Sequence, residues 1–275
     1  MQGILYLCAT PIGNLEDMTF RAIRILREVN LIAAEDTRRT RKLLTHFEIH
    51  TPLIRFDENC KEKVAEKILE RLQAGELVAV VSDAGLPAIS DPGADLVKLA
   101  IDARIKVCPI PGANAALSAL ICSGLDTTKF LFAGFAPKTK KNRREFLQKL
   151  STVEETVIFY EAPHRLKNFL EELAEVFGER QAVLARELTK VHEEFLRGKI
   201  SELIENLDEP RGEFVVLIEG NKFSEAVEVS KENISEVVEK FLAEGLDKKS
   251  AMREAAKRFN VSRREIYNAL IKEQK

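Results

Sequence analysis

Three loops rich in glycine and proline contain the residues best suited to hold a nucleotide-like ligand. They read TPIGN at 10–14, SDAGLPAISDPG at 82–93 and PGAN at 111–114. Such a ligand needs close approach of the backbone and donors for its anionic end, which glycine-rich loops at helix N-termini supply. The second loop offers four candidate contacts: Asp83, Ala84, Gly85 and Pro87. Helix initiation alone explains Asp91 as an N-cap and Pro92 as a first helical residue.

Turn formation is the competing explanation for these loops. Glycine and proline mark turns in many proteins, and Asp83 fits an Asp-Ala-Gly turn as well as a ligand site. Turn formation explains the glycine and proline residues of one such loop well. It explains less well why three such loops lie at the same edge of the sheet. TPIGN replaces GxGxxG after the first predicted strand, and no GxxxxGK[ST] is present. Both absences weigh against dinucleotide-binding and phosphate-transfer folds.

Alternating element types predict an α/β fold for the first part of the chain. Apolar β-rich runs occupy 4–9, 31–34, 53–56, 77–82 and 106–110, and helical patterns lie between them at about 19–28, 37–45, 60–73 and 93–103. This alternation is typical of a parallel sheet with crossover helices. Ligands bind beyond the carboxyl ends of such strands, where the three loops lie.

A second lobe and a helical tail follow. Strand candidates occupy 129–135, 156–161, 182–187, 193–198 and 213–220. The last three are closely spaced, so we expect antiparallel pairing and a mixed sheet. The predicted domains are residues 1–112, 113–222 and 231–275. In the tail, a turn at Asn260 and a helix capped by Ser262 resemble a helix-turn-helix.

Composition and charge limit the classes of protein to which this chain can belong. The formal net charge is −2, so a nucleic-acid partner must be argued from local basic runs. Cys8, Cys60, Cys108 and Cys122 form no CxxC pair and no two histidines have metal-ligand spacing, which predicts reduced thiols and no metal. The N-terminal residues do not form a basic leader followed by a long apolar stretch. We expect a cytoplasmic protein without membrane contact.

Eight motifs in order resemble one known family. They are ATPIGNLEDMTFRA (9–22), AEDTRRTRKLL (34–44), VSDAGLPAISDPG (81–93), PIPGANAALSAL (109–120), FAGFAPK (132–138), YEAPHR (160–165), ARELTKVHEE (185–194) and GEFVVLIEG (212–220). Through them the chain is similar to the ribosomal RNA small subunit methyltransferase I family of the tetrapyrrole-methylase-fold superfamily. The resemblance implies a two-lobed α/β fold, a homodimer and S-adenosylmethionine folded into the cleft between the lobes.

The resemblance also implies a set of cofactor contacts. These are Pro11, Gly13, Asp83, Ala84, Gly85, Pro87, Ile89, Pro111, Gly112, Ala113, Asn114, Ala115, Tyr160 and Leu217. Tetrapyrrole-directed members usually have a glycine-rich loop where this chain has ATPIGN, and that difference favours another acceptor.

The implied reaction is 2′-O-methylation of a cytidine in small-subunit (16S) ribosomal RNA, within the 30S subunit. Basic residues of two runs are expected to hold RNA phosphates: Arg38, Arg39, Arg41, Lys138, Lys140, Lys141, Arg143 and Arg144. A solvated surface is the usual explanation of a single charge run. DNA is not expected as a partner.

A ribose hydroxyl needs help to lose its proton, and five residues in the motifs are candidate bases: Asp36, Glu161, His164, Glu187 and Lys190. Glu161 could instead favour the start of the helix after Pro163, His164 could be an exposed first-turn residue, and Glu187 and Lys190 could be strand-edge charges.

Two alternative functions remain open at this point. The same fold could methylate a tetrapyrrole or a modified protein, in which case activity would be indifferent to salt. The chain could also be a helix-turn-helix binding protein whose α/β part senses a ligand, which predicts duplex DNA binding without methyl turnover.

Overall fold

The computed structural model describes residues 3–58, 60–89, 93–207, 209–221 and 231–258, together with 266 and 270. The chain divides into two compact units, residues 1–220 and residues 221–275. The predicted helix start at Asp91 and Pro92 lies outside the described residues, as does the predicted turn around Asn260 and Ser262. The predicted boundary at 112 falls between the two sheets of the first unit and stays a prediction.

The first sheet is parallel throughout and has the strand order β3-β2-β4-β1-β5. Its strands are β1 (Ile4–Cys8), β2 (Leu31–Ala34), β3 (Leu53–Arg55), β4 (Leu77–Val81) and β5 (Lys106–Ile110). The helices between them are α1 (Phe20–Glu28), α2 (Thr37–His46), α3 (Lys61–Gln73) and α4 (Gly93–Asp102). The predicted parallel sheet with crossover helices is confirmed.

Helices cover both faces of this sheet, which explains why its strands are continuous apolar runs. All four residues of β2 are buried. Ile32 packs in a cluster with Leu26 of α1, whereas the neighbouring Leu31 packs in a second cluster with Ile68 and Leu72 of α3. Alternate side chains therefore anchor opposite helix layers and fix the strand that precedes α2.

The second sheet is mixed, with the order β6-β7-β10-β8-β9. Its strands are β6 (Phe130–Phe135), β7 (Thr156–Glu161), β8 (Gln181–Arg186), β9 (Glu194–Lys199) and β10 (Phe214–Ile218). Its helices are α5 (Ala115–Ser123), α6 (Lys140–Leu150), α7 (Pro163–Phe177) and α8 (Ile200–Glu205). Only the β6–β7 pair is parallel among these strands, so the predicted mixed sheet and antiparallel pairing are confirmed.

Strand β6 contains a β-bulge. Its register against β7 shifts between Phe132 and Gly134, and Gly134 has φ 65°. Leu131 and Ala133 pack on the helix-covered core. Without the extra residue Phe135 would follow them to that side, because strand side chains alternate. With it, Phe132 and Phe135 both contact the ring of Tyr160, at centroid distances of 4.9 and 5.6 Å.

The second unit contains α9 (Lys231–Ala243) and α10 (Lys248–Arg258). Val238, Ala251 and Ala255 are buried in its own small core. Among the described residues, the helices are too short or too polar to cross a membrane.

Candidate active site

A cleft of about 400 Å³ lies where the carboxyl ends of β1 and β4 meet the second sheet. Most of its wall is apolar and includes Ile12, Leu86, Ile89 and Leu188. The volume and the mixture of apolar wall with few polar groups are typical of sites for small organic ligands. The position agrees with the rule that α/β sheets bind ligands at strand ends.

Backbone hydrogen bonds join the loops after β1 and β4. Thr10 N donates to Gly85 O at 2.9 Å, and Gly85 N donates to Thr10 O at 3.0 Å. The hydroxyl of Thr10 donates to Ser82 O at 3.1 Å. Gly85 has φ 82°, and a Cβ there would lie 3.4 Å from both Ala113 O and Ile12 Cγ2. The three glycine- and proline-rich loops thus converge around Gly85.

The expected cofactor contacts fall into three groups. Seven of them line the cleft: Asp83, Ala84, Gly85, Ile89, Asn114, Ala115 and Tyr160. Pro11 and Gly13 line a neighbouring pocket of about 250 Å³, which Asp83 also borders. The described lining of the cleft does not include the remaining five: Pro87, Pro111, Gly112, Ala113 and Leu217.

Leu217 is a correction to the expected cofactor set. Its side chain is fully buried in the core beside Ile158 and Val183. The cleft meets β10 near its amino end, since this strand runs antiparallel to β7 and β8. The residue of β10 that reaches the cleft from the same face is therefore Val215, two positions earlier.

Gly112 serves packing. A Cβ at this position would lie 2.7 Å from the Cβ of Ala9, closer than side-chain atoms pack. Glycine here lets the PGAN loop lie against the end of β1, so that α5 can begin at the cleft. Asn114 caps that helix by accepting a hydrogen bond from Leu117 N at 2.9 Å.

Asp36 caps α2 and has partners on its own helix. Its carboxylate accepts hydrogen bonds from the backbone and side chain of Arg38, which hold the pKa of Asp36 below its usual value. The backbone N–H of Asp36 donates to Asp83 Oδ1 at 2.9 Å, and Arg39 lies 3.6 Å from Asp83 Oδ2. Asp83 therefore ties α2 to the cleft wall. Lys42, which sequence reasoning did not select, borders the neighbouring pocket with Arg39.

Glu161 is the candidate base that lines the cleft. Its side chain is fully buried, and burial raises the pKa of its carboxyl group although Ala162 and Arg165 oppose the shift. Oε1 accepts a hydrogen bond from Ala162 N at 2.8 Å. Oε2 lies 3.3 Å from Arg165 Nη2, yet it receives no hydrogen bond from the described part of the chain. Such an oxygen is suited to a partner outside the protein.

Lys190 forms ion pairs with both Glu187 and Glu213. Lys190 Nζ donates to Glu187 Oε1 at 2.8 Å and to Glu213 Oε2 at 3.0 Å. The hydrogen bond from Lys190 lowers the pKa of Glu187. Burial alone would lower the pKa of Lys190, but its bonds to the two carboxylates outweigh burial and raise it. The two carboxylates therefore favour the protonated form of Lys190, which argues against its expected role as a base.

The turn that contains Glu187, Thr189 and Lys190 also contacts the TPIGN loop of the first lobe. A Cβ on Gly13 would lie 2.5 Å from Lys190 Cγ and 2.9 Å from the hydroxyl of Thr189. Glu187 and Thr189 have φ 49° and 67°, which is uncommon for residues other than glycine. The tight turn they form packs directly against the TPIGN loop.

A groove continues from the mouth of the cleft. Phe135 and Ala162 border both cavities, and Lys138, His164, Arg165 and Asn168 line the groove. His164 is exposed in the first turn of α7 and does not line the cleft. Sequence reasoning did not select Phe135 or Gly212–Phe214, although both lie within quoted motifs.

Arg143 is a correction to the expected RNA contacts. It donates to both carboxylate oxygens of Glu172 at 2.6 Å and to the carbonyls of Pro137 and Lys138. Its side chain is only 12% exposed. The other side chains of that run are exposed: Lys138, Lys140, Lys141 and Arg144. Arg41 is exposed as well, on α2.

Comparison with known proteins gives full-length relatives. The protein named Ribosomal RNA small subunit methyltransferase I of Bacillus subtilis (strain 168) is 51% identical over 273 residues, covering 97% of this chain and 94% of that relative. A protein of the same name from Synechocystis sp. is 47% identical over 268 residues and covers 96% of each chain. The family described as Tetrapyrrole (Corrin/Porphyrin) Methylases matches residues 4–204.

Solved structures share the fold at low identity. Diphthine synthase aligns with a TM-score of 0.60 at 14% identity, covering 79% of this chain and 90% of its own. Uroporphyrin-III C-methyl transferase from Thermus thermophilus, complexed with S-adenyl homocysteine, aligns with a TM-score of 0.57 at 16% identity, covering 80% and 97%. The fold, the family match and the full-length relatives agree with the motifs: the chain belongs to the ribosomal RNA small subunit methyltransferase I family, within the tetrapyrrole methylases.

Proposed function

We propose that this protein transfers a methyl group from S-adenosylmethionine to the 2′-hydroxyl of a cytidine in small-subunit (16S) ribosomal RNA, within the 30S subunit. The observation that carries the proposal is the 51% identity over 97% of the chain to a relative named for this substrate class. A cytoplasmic location follows from the ribosomal substrate. Solved structures named for tetrapyrrole or diphthine chemistry align at 14–20% identity, which indicates the fold alone.

The cleft fits the cofactor in size and chemistry. Its volume of about 400 Å³ lies in the range of sites for small organic ligands. Gly85 permits close approach of the backbone, and the amino end of α5 at the wall favours a carboxylate. Ile12, Ile89 and Leu188 offer an apolar surface to a purine ring. When bound, S-adenosylmethionine supplies an electrophilic methyl group.

The protein's own residues must hold the acceptor hydroxyl in line and take its proton. Glu161 lines the cleft, has a raised pKa and keeps one buried carboxylate oxygen without a hydrogen-bond donor in the described structure. We assign the proton-accepting role to this residue. Glu187 and the protonated Lys190 act as positioning residues that hold the TPIGN loop against the second lobe.

A homodimer is part of the proposal. Helix α5 packs Ala116, Ala119 and Leu120 into the core, while Leu117 and Ile121 on its outer side are exposed. Ile121 is 75% exposed, which is costly for a large apolar side chain that stays in water. These exposed residues are consistent with an interface that a second copy covers.

Methyl transfer to purified small ribosomal subunits tests the proposed reaction. The subunits should come from a strain that lacks its own enzyme of this family, and the methyl group of S-adenosylmethionine should be radiolabelled. We expect label in an alkali-resistant dinucleotide, because a methylated 2′-oxygen cannot attack the adjacent phosphate. Label on a base, or transfer to porphyrinoid precursors but not to RNA, would refute the proposal.

Substitutions in the cationic run on α6 should distinguish residues that bind RNA from the one that stabilises the fold. Replacing Lys140, Lys141 and Arg144 by glutamine should weaken RNA binding and reduce the slope of log Kd against log salt by about 2, since single strands release about 0.7 counterions per phosphate contact. Arg143→Met should instead lower the free energy of unfolding by about 2–4 kcal/mol, because it leaves Glu172 without its partner. Filter binding and urea unfolding measure these effects.

The triple glutamine variant is the control for Arg143→Met, and Arg143→Met is the control for the triple variant. The pH dependence of stability gives a further test of the Arg143–Glu172 ion pair. The hydrogen bond from Arg143 lowers the pKa of Glu172. The stabilisation is therefore present above the pKa of Glu172 in the unfolded chain and disappears as pH falls through its lowered folded-state pKa. The stability gap between wild type and Arg143→Met should narrow over that acid range.

An unchanged salt slope in the triple variant would show that the run is only a solvated surface.

A further inference from the structure

An exposed aromatic ring stands at the mouth of the cleft. Phe135 ends β6 and is 56% exposed, and it borders both the cleft and the adjoining groove. Single exposed apolar residues are common and carry no meaning by themselves. The position of Phe135, however, depends on the bulge in β6. A regular strand would direct this side chain towards the helix-covered core, where Leu131 and Ala133 pack.

The ring is supported from behind. Phe132, Tyr160 and Phe135 form two successive edge-to-face contacts, with centroid distances of 4.9 Å and 5.6 Å. Tyr160 packs against the buried cluster that contains Ala116 and Val215. Phe135 is thus the outermost ring of a fixed aromatic series. A ring held in this way loses little conformational freedom when a planar ligand stacks on it.

The groove beyond the ring suits a nucleic-acid backbone. Lys138 is exposed three residues after Phe135, and His164 and Asn168 add polar groups on the α7 side. Arg165 lines the same groove and donates to Ala136 O at 3.0 Å. An aromatic platform beside a cationic groove is the arrangement by which proteins bind single-stranded RNA, with the base stacked and the phosphates beside positive charge.

We propose that Phe135 stacks on an unpaired base of the acceptor RNA, while the adjoining phosphates lie along the groove at Lys138. The inference rests on the proposed RNA methylation and specifies its substrate: the segment that meets the cleft is single-stranded, because the bases of an A-form duplex are already stacked on one another. Phe135 is a substrate-positioning residue in contact with RNA and takes no part in proton transfer.

The chain has no tryptophan, so one introduced indole gives a signal free of background. In the full-length Phe135→Trp protein, indole fluorescence should be quenched by single-stranded RNA of the target sequence, both without and with saturating S-adenosylmethionine. Phe130→Trp is the matched control. Phe130 lies at the opposite end of β6, is 42% exposed and should not respond to RNA.

Kinetics with small subunits give a second readout. Phe135→Leu should raise KM for the RNA substrate about 10-fold, the effect expected from losing one base stack, with the Kd for S-adenosylmethionine within about 2-fold of wild type. Phe135→Tyr should restore KM, and Phe130→Leu should leave it unchanged. A melting temperature equal to that of wild type shows that Phe135→Leu is folded. If Phe135→Leu has a folding defect, the fluorescence titration of Phe135→Trp tests the inference.

Three results would overturn the inference. They are an unchanged KM in Phe135→Leu, no change in Phe135→Trp fluorescence when RNA is added, and equal RNA quenching in the Phe130→Trp control. A wild-type enzyme that transfers no methyl group to RNA would count against the proposed function instead. The fluorescence titration does not require turnover, so the two failures are distinguishable.

Discussion

Gly85→Val should reduce affinity for S-adenosylmethionine at least 100-fold while the protein stays folded. Gly85 has φ 82°, and its Cβ would lie between Ala113 O and Ile12 Cγ2, each 3.4 Å away. The branched side chain would therefore fill the junction where the loops meet and would also strain a backbone that exchanges two hydrogen bonds with Thr10. Isothermal titration calorimetry with S-adenosylmethionine measures the loss.

Gly124→Val is the matched control. Gly124 also has φ 82°, but a Cβ there meets no described atom within 4 Å. Both substitutions cost about 1–2 kcal/mol of backbone strain, or somewhat more for a β-branched residue, and should lower the melting temperature similarly. Only the change at Gly85 should abolish binding. Wild-type affinity in a folded Gly85→Val protein would remove this loop from the cofactor site.

Glu161→Gln should lower kcat about 10²- to 10⁴-fold, the range typical of losing a general base. Glutamine keeps the size of the side chain and its acceptor for Ala162 N, but it cannot take a proton. The Kd for S-adenosylmethionine and the KM for RNA should change little. Single-turnover kinetics with excess enzyme isolate the transfer step from product release.

The pH profile of the rate and a second variant test whether a loss of kcat in Glu161→Gln comes from a damaged fold instead of a missing base. Burial raises the pKa of Glu161. The wild-type rate should therefore rise with pH as this carboxyl group loses its proton, at a higher pH than is usual for glutamate. Glu172→Gln, which breaks the nearby ion pair with Arg143, should lower stability but keep this profile. A kcat within about 3-fold of wild type in Glu161→Gln would exclude the proposed role.

The first sheet was predictable because its strands are strongly apolar. LIAA in β2 and LVAVV in β4 are buried on both faces, and turn residues and amphipathic helices separate them. The convergence of the three loops followed from the same rule, since carboxyl ends of parallel strands share one sheet edge. Local pattern thus predicted both the architecture of this sheet and the edge at which the three loops converge.

The second lobe shows where local pattern is insufficient. Leu217 resembles Val215 in type and faces the same way, and only the antiparallel register of β10 decides which one reaches the cleft. Arg143 is equivalent to its neighbours in the run KTKKNRR, but its partner Glu172 lies 29 residues away on another helix. Partners so distant in sequence are set by tertiary packing, which a single sequence does not reveal.

The protonation of Lys190 depends on such distant contacts too. Glu187 lies in the same motif, but Glu213 comes 23 residues after Lys190, directly before β10. Two carboxylates around one ammonium group keep it charged, whereas one buried lysine alone would lose its proton more easily. The motif therefore placed Glu187 and Lys190 close together but could not determine their charge state.

The bulge in β6 has a consequence for solubility. β6 is the outer strand of the described second sheet, and its sequence FLFAGF carries no charge. A long, flat, uncharged outer strand is a template on which another chain can add, as in amyloid. The shift at Gly134 interrupts the row of outward N–H and C=O groups, and Lys129 and Lys138 flank the segment with charge. The bulge that redirects Phe135 therefore also makes this open sheet edge a poorer template for a second chain.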